Sequence, residues 1–409
     1  MLRLVFAMLV LAACGPHAPG GQTEPTSTTT DATGSSSVAS PTTSSTPIDC
    51  DSPCDGPWTH DGDLDITPNT DPGVLRCLRR VTGDLTIHGF TGSLPAELLA
   101  LRDVDGSLAL NLNDGLVDLA GLECLRRVEF LIFEGNDALI DLSALTDLES
   151  SRGLIAQSNG ALADLSPLSN VAGLEILILH VNPALKRLPT LPAGTRLEQL
   201  VIWSSPLLTD VDALAGLEGT PAQLILEDLP ALGSLVGLSG MFAADDPPGD
   251  LVLGRLPALA SLSGLEALQE VSALDLHELP KITSLAPLAA LRRAERFDIR
   301  SLASLGSLGG LDSLEFVDSL SIGDCGDAGG LPLLLDLTGL GSLVEVHHLV
   351  LRANVGLQSL AGLTALAVGP DSLVVTGSPN LPTEQIDTFV AAHGIPEVCQ
   401  DPQNACGCP

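Results

Sequence analysis

The sequence predicts a mainly β solenoid, in which one chain winds into stacked coils that share a parallel sheet. An apolar pattern recurs along most of the 409 residues, and successive copies are most often 23 residues apart. The formal net charge is −33, yet the mean hydropathy is positive. A chain that is both highly charged and apolar must bury its leucines in a regular core, and stacked repeats build such a core.

Each repeat carries the alternation of a β-strand. Residues 131–139 read L-I-F-E-G-N-D-A-L, which matches the leucine-rich-repeat pattern L-x-L-x-x-N/C-x-L. Because strand side chains alternate, Leu131 and Phe133 should point into the coil, whereas Ile132 and Glu134 should point outward. The first inward position recurs at Leu85, Leu108, Leu131, Leu154, Leu177, Leu200, Leu224, Leu251, Leu274, Phe297, Leu320, Leu349 and Leu373.

A buried polar position should follow each strand and bond the backbone where the chain turns. This position holds Asn69, Asn113, Asn136, Asn159, Asn182 and Ser205, and later Asn354 and Ser378. We therefore expect an asparagine ladder. The ladder lapses at Leu229, Leu256 and Leu279, where a proline follows each leucine and its stiffness could set the turn instead.

Two segments show a more specific resemblance. Residues 81–87 (V-T-G-D-L-T-I) and 104–108 (V-D-G-S-L) resemble the receptor L-domain type of leucine-rich repeat, including bacterial lipoproteins that carry it, over about residues 54–380. The resemblance implies a right-handed solenoid with the sheet on the concave face and short convex turns. It also implies ligand binding outside the cell and a disulfide between Cys54 and Cys77, which bracket the first incomplete coil.

The first fourteen residues resemble a bacterial lipoprotein signal. An apolar run from Leu4 to Val10 leads into L-A-A-C, which ends at Cys14. The resemblance implies cleavage before Cys14 and its acylation, and Gly15 after it favours the outer membrane. The alternative is an ordinary secretory signal with an incidental cysteine. We expect a lipid-anchored envelope protein of the outer membrane, facing either the periplasm or the cell surface.

A tether should connect the anchor to the solenoid. Sixteen of the 24 residues from Thr23 to Thr46 are Ser or Thr, so this segment cannot bury enough apolar surface to fold. At the other end, residues 383–393 predict a helix that caps the last coil. The predicted domains are a signal peptide (1–13), the lipidated cysteine and tether (14–49), an N-terminal cap (50–84), leucine-rich repeats (85–380), and a cap helix with a cysteine-rich tail (381–409).

Composition and motifs exclude several functions. The acidic balance argues against nucleic acid, because phosphate binding requires clustered Lys and Arg. No catalytic motif occurs, so we predict no enzyme and no cofactor. Asp61, Asp63 and Asp65 alternate like calcium ligands, but Ile66 stands where that loop requires glycine. We predict no metal site.

The outward position at the end of each strand should form one column on the concave face. Candidate ligand-binding residues in that column are His180, Trp203, Glu227, His277, Arg300 and Arg352. We expect Trp203 to be an exposed anchor, because tryptophan is common among residues that dominate binding. Five arginines lie between residues 292 and 352: Arg292, Arg293, Arg296, Arg300 and Arg352. They form either a solvated edge or a site that recognises a carboxylate or phosphate group.

An apolar row runs beside this column, from Ile132 to Val252. Such a row reflects either β-propensity or a binding strip. Together these features predict a non-enzymatic binding protein for a protein or glycan ligand. The alternative is a structural or self-associating envelope component.

Overall fold

The protein is a leucine-rich-repeat solenoid whose strands form one parallel sheet of seventeen strands. The structure is a computed structural model, and it describes residues 50, 56, 58–242, 249–324 and 330–401. The predicted fold class is therefore confirmed. The signal peptide, Cys14, the tether and Cys54 lie outside the described residues. No helix in the described ranges is long and apolar enough to cross a bilayer.

From β5 onward, each strand pairs with the next one in the sequence, whereas at the start β1 pairs with β3, β2 pairs with β4, and β3 and β4 both pair with β5. They are β1 (Trp58–His60), β2 (Leu64–Ile66), β3 (Leu78–Val81), β4 (Leu85–His88), β5 (Asp103–Asn111), β6 (Arg127–Glu134), β7 (Gly153–Gln157), β8 (Ile176–His180), β9 (Gln199–Trp203), β10 (Gln223–Glu227), β11 (Asp250–Gly254), β12 (Glu270–His277), β13 (Arg293–Arg300), β14 (Phe316–Ile322), β15 (Glu345–Arg352), β16 (Ser372–Thr376) and β17 (Glu397–Asp401).

The predicted register is confirmed. Leu131 pairs with Leu154, and Leu154 pairs with Leu177, so one repeat spans one step of the sheet. The same first inward positions pair from Leu85 through to Leu373. These side chains are buried in one continuous leucine core.

Short 3-10 helices close many of the coils. They are η1 (Ala96–Ala100), η2 (Ser143–Leu145), η3 (Ser166–Leu168), η4 (Asp212–Leu214), η5 (Val236–Leu238) and η6 (Ala286–Leu288). In η2 to η6, an Asp or Ser two residues earlier accepts a hydrogen bond from the first helical N–H; Asp141 Oδ1, for example, accepts from the Ser143 N–H at 2.7 Å. This repeated capping residue is a feature that the sequence analysis missed.

The asparagine ladder is confirmed from Asn113 to Asn182, but not at Ser205, whose buried Oγ has no hydrogen-bond partner among the described residues. Asn136 Nδ2 donates to the Leu110 carbonyl at 2.8 Å, and Asn136 N–H donates to Asn159 Oδ1 at 3.2 Å. Asn113 and Asn182 continue the same pattern on either side. The ladder does not begin at Asn69, which is exposed. Phe90 occupies the position before Asn113, and its N–H donates to Asn113 Oδ1.

Where the ladder lapses, Leu229, Leu256 and Leu279 are fully buried in the core. The residue before the ladder position adopts a left-handed conformation in both halves, for example Val181 with φ 54° and Arg255 with φ 50°. The turn is therefore a property of the coil. It does not depend on the prolines, as the sequence had suggested.

The C-terminal cap consists of a helix and a strand. Besides the short α1 (Pro72–Leu75), the second α-helix is α2 (Thr383–His393), and it ends at Gly394 with φ 65°. The helix was predicted, but β17 was not. Val398 of β17 pairs with Leu373, so the tail adds a further step to the sheet. The segment 397–401 carries no leucine and therefore lacked the repeat signal.

One disulfide joins Cys50 to Cys124 across 74 residues. Cys50 is partly exposed, and Cys124 is fully buried among the repeats. Cys77 and Cys399 are also disulfide-bonded. Because Cys54 lies outside the described residues, its pairing with Cys77 stays a prediction.

Candidate functional site

The strands place five of the six predicted site residues in one column. His180 pairs with Trp203, Trp203 with Glu227, and Glu227 with Gly254. Gly254 pairs with His277, and His277 with Arg300. These residues occupy the same position on six consecutive strands, β8 to β13. Arg352 lies farther along, on β15.

His180 and Trp203 form a ring stack. Their ring centroids lie 4.8 Å apart, and the ring planes are inclined by 29°. Both residues are partly buried, and burial lowers the pKa of His180, which favours the neutral imidazole. Trp203 Nε1 is buried and has no hydrogen-bond partner among the described residues. Trp203 is thus more covered than the sequence predicted, and it is paired with a neighbouring ring.

The apolar row beside the column is buried at its centre. Val201 is only 1% exposed, and Ile155 and Ile178 are also buried, although all three point away from the leucine core. The Phe130 ring lies over Gly153, where a Cβ atom would be 2.4 Å from Phe130 Cδ1. These central positions therefore cannot serve as an open binding strip, and there the row reflects β-propensity and packing within the sheet face. The positions at both ends of the row are partly exposed.

His277 is the centre of a charged network. Its Nδ1 lies 3.1 Å from Asp275 Oδ1, and its Nε2 lies 3.4 Å from Glu227 Oε1. Burial opposes the charge on the imidazole, but the hydrogen bonds to both carboxylates outweigh it and raise the pKa of His277 to about 9. His277 is therefore an imidazolium at neutral pH.

Gly254 makes the contact between His277 and Glu227 possible. The two residues are separated by strand β11, and Gly254 occupies the column position between them. A Cβ atom at Gly254 would lie 2.2 Å from Cε1 and Nε2 of His277. The missing side chain leaves room for the imidazole to lie across β11. Its backbone φ is not in the left-handed region, so space alone requires glycine here.

Arginines extend the network at both ends. Arg255 Nη2 lies 3.0 Å from Glu227 Oε1, and Arg300 Nη2 lies 2.7 Å from Asp275 Oδ2. Arg300 Nη1 is also 3.8 Å from Asp324 Oδ2. Arg255 was not predicted, because it follows the column position and lies at a turn.

The arginine group that the sequence indicated is divided among several contacts. Arg293 lies over the Phe316 ring, with Cζ 3.8 Å from the centroid, and Arg296 Nε lies 3.4 Å from Asp298 Oδ2. Arg292 is exposed. The five arginines therefore do not form a single basic patch.

Within the described ranges, no group of three or more His, Cys, Asp or Glu side chains is placed to hold a metal ion. Asp63 Oδ1 accepts the Asp84 N–H at 2.9 Å, and Asp65 contacts His88 at 3.0 Å. These aspartates of the calcium-like motif thus bond neighbouring coils.

Comparison with known proteins adds little. No family model matches the chain, and no curated protein sequence matches it. A solved structure with some similarity is the crystal structure of a TLR13–ssRNA13 complex, with 17% sequence identity and a TM-score of 0.31. The match covers 78% of this chain and 58% of that chain. The fold assignment rests on the strand register and the buried repeats described above.

Proposed function

We propose that the protein is a non-enzymatic, envelope-anchored binding protein that recognises a partner with the concave face of its solenoid. The observation that carries this proposal is the column on β8 to β13. It places the His180–Trp203 ring stack directly beside the network of Glu227, His277 and Arg300. Rigid aromatic and charged side chains of this kind dominate the energy of many protein interfaces.

The size of the column favours a macromolecular ligand. Neighbouring strands lie about 4.8 Å apart, so the five steps from His180 to Arg300 span about 24 Å. A surface of that length suits a protein segment or a glycan chain better than a small molecule. The formal charge of −33 disfavours nucleic acid and anionic lipid as ligands. It also disfavours self-association, because two copies repel each other.

Trp203→Ala tests the proposed binding face. We expect this change to weaken binding to a partner by about 2 kcal/mol or more, because it removes the largest ring of the column. The fold should be retained, since the ring lies outside the leucine core. The measurement is capture of envelope and cell-surface proteins or glycans by the wild-type and variant chains, followed by affinity measurement for each captured partner.

The matched control is Val236→Ser, which removes an exposed apolar side chain from η5 on the other side of the coil. Loss of binding in the Val236 variant, with full binding by Trp203→Ala, would move the site to the convex side and contradict the proposal.

Membrane attachment is proposed to depend on Cys14, whose thiol would accept the lipid. We expect Cys14→Ser to abolish lipid labelling and to release the protein from the membrane fraction, because the apolar stretch from Leu4 to Ala13 is too short to span a bilayer. Metabolic labelling with a fatty acid and membrane fractionation measure both effects. Unchanged membrane partition in the variant would contradict the lipoprotein assignment.

A further inference from the structure

The column on the concave face divides into two parts that differ in hydrogen bonding. From Glu227 to Arg300, the charged side chains are bonded to one another or to Asp275. From β5 to β9, the column consists of Asn111, Glu134, Gln157, His180 and Trp203. No polar side-chain atom of these five residues has a hydrogen-bond or ion-pair partner among the described residues. We call this stretch the β5–β9 column.

Two of the unbonded atoms are buried, one at each end of the stretch. Asn111 Oδ1 is an acceptor on β5, and Trp203 Nε1 is a donor on β9. A buried polar atom without a partner destabilises the fold, and such atoms are rare in native proteins. Two of them in one column on the concave face indicate a place where a ligand supplies the missing hydrogen bonds.

The β5–β9 column suits a ligand that both donates and accepts hydrogen bonds. The Gln157 amide has both functions. Burial lowers the pKa of His180, so its neutral ring also offers one donor and one acceptor. An extended polypeptide main chain presents both kinds of group along its length. The four steps of about 4.8 Å give the stretch a length of about 19 Å, which is about six residues of an extended chain.

The charges around the stretch favour a basic ligand. Glu134 is exposed, and it is the one charged residue of the five. At the other margin of the sheet, neighbouring coils place four more charged residues side by side: Glu129, Arg152, Glu175 and Glu198. Arg152 is bonded to Glu175. Four carboxylates therefore accompany one guanidinium group here, and a basic ligand is attracted to them.

We propose that the β5–β9 column binds an extended, basic segment of a partner protein. The main chain of the segment bonds Asn111, Gln157 and Trp203, and a lysine or arginine of the segment pairs with Glu134. This inference rests on the proposed function and names the chemistry of the partner. A neutral glycan fits less well, because sugars stack on open aromatic faces, whereas one face of Trp203 is taken by His180.

The test is NMR titration of the full chain with acetylated, amidated octapeptides in which serine alternates with lysine, glutamine or glutamate. Chitohexaose is the neutral glycan probe. The chain has two tryptophans, so it gives two indole N–H signals. Trp58 Nε1 already donates to the Arg76 carbonyl at 3.0 Å, so its signal should stay in place as the internal control. At about 0.15 M salt, where screening limits attraction by distant charges, we expect the lysine peptide to shift the Trp203 signal. It should bind about tenfold more tightly than the glutamate peptide.

Two variants test the contacts. Glu134→Gln should weaken binding of the lysine peptide about fivefold, because it removes an exposed ion pair. Glu278→Gln is the matched control, since this exposed glutamate lies in the turn after β12, and it should bind like the wild type. Asn111→Leu should also weaken binding about fivefold. Its urea midpoint should equal or exceed that of the wild type, because the change removes a buried acceptor that the fold leaves unbonded.

Three results would overturn this inference. They are an unshifted Trp203 signal with the lysine peptide, equal affinity for the lysine and glutamate peptides, and unchanged affinity in both Glu134→Gln and Asn111→Leu. Tighter binding of chitohexaose than of the lysine peptide at the same signal would assign the column to glycans instead. A partner whose binding requires Trp203 but tolerates both changes would overturn this inference and leave the proposed function intact. Binding of the lysine peptide without any Trp203-dependent envelope partner would do the reverse.

Discussion

Breaking the Cys50–Cys124 disulfide should lower the free energy of unfolding by about 4 kcal/mol, the loop-closure value for a bridge that spans 74 residues. The bridge closes the N-terminal cap and the first coils into one loop, so its loss lets this region unfold with much more chain entropy. Arg102 Nη2 also donates to the Cys50 carbonyl at 2.6 Å, so a second contact holds Cys50 in place. Urea unfolding of Cys50→Ser/Cys124→Ala measures the effect.

The two single variants separate the cross-link from the packing of Cys124. Cys50 is partly exposed, whereas Cys124 is fully buried. Cys50→Ser alone should show nearly the whole loss, because either change breaks the bridge. A large loss with Cys124→Ala and almost none with Cys50→Ser would show that the buried side chain stabilises the fold and the bridge does not.

This disulfide marks a limit of sequence-based inference. Cysteine spacing does not determine connectivity, and Cys124 lies in a run of regularly spaced leucines where it resembles a core residue. The strand register was predictable for the opposite reason. A shift by one residue would turn every Leu of a strand out of the core, so the apolar pattern admits a single alignment.

The candidate site was predictable as a column but not as a network. The alternation of strand side chains places His180, Trp203 and Glu227 side by side. It does not reveal that His277 reaches Glu227 across an intervening strand, because that contact depends on the space left by Gly254. A glycine in an otherwise large and polar column was the signal available in the sequence.

Asn136→Leu should lower the free energy of unfolding by about 3 kcal/mol, at the upper end of the cost of leaving a buried group unpaired. The change removes the donor to the Leu110 carbonyl. It also removes the acceptor for two groups of Asn113, the backbone N–H at 3.2 Å and Nδ2 at 3.0 Å. Urea unfolding measures the loss. Asn69→Leu is the matched control: this asparagine has the ladder spacing but is exposed, so its replacement should change stability by no more than about 0.5 kcal/mol.

A double-mutant cycle tests whether the asparagines act as a ladder. Asn136 and Asn159 bond each other through two contacts of 3.2 Å, so Asn159→Leu breaks some of the same bonds as Asn136→Leu. The double variant also resembles the second half of the solenoid, where Leu256 and Leu279 occupy this position on neighbouring coils and are fully buried. Its loss should therefore be smaller than the sum of the single losses by about 1 kcal/mol. Strict additivity of the two losses in unfolding free energy would mean that each asparagine bonds only its own turn. A loss in Asn69→Leu as large as in Asn136→Leu would mean that burial does not distinguish the ladder from the surface.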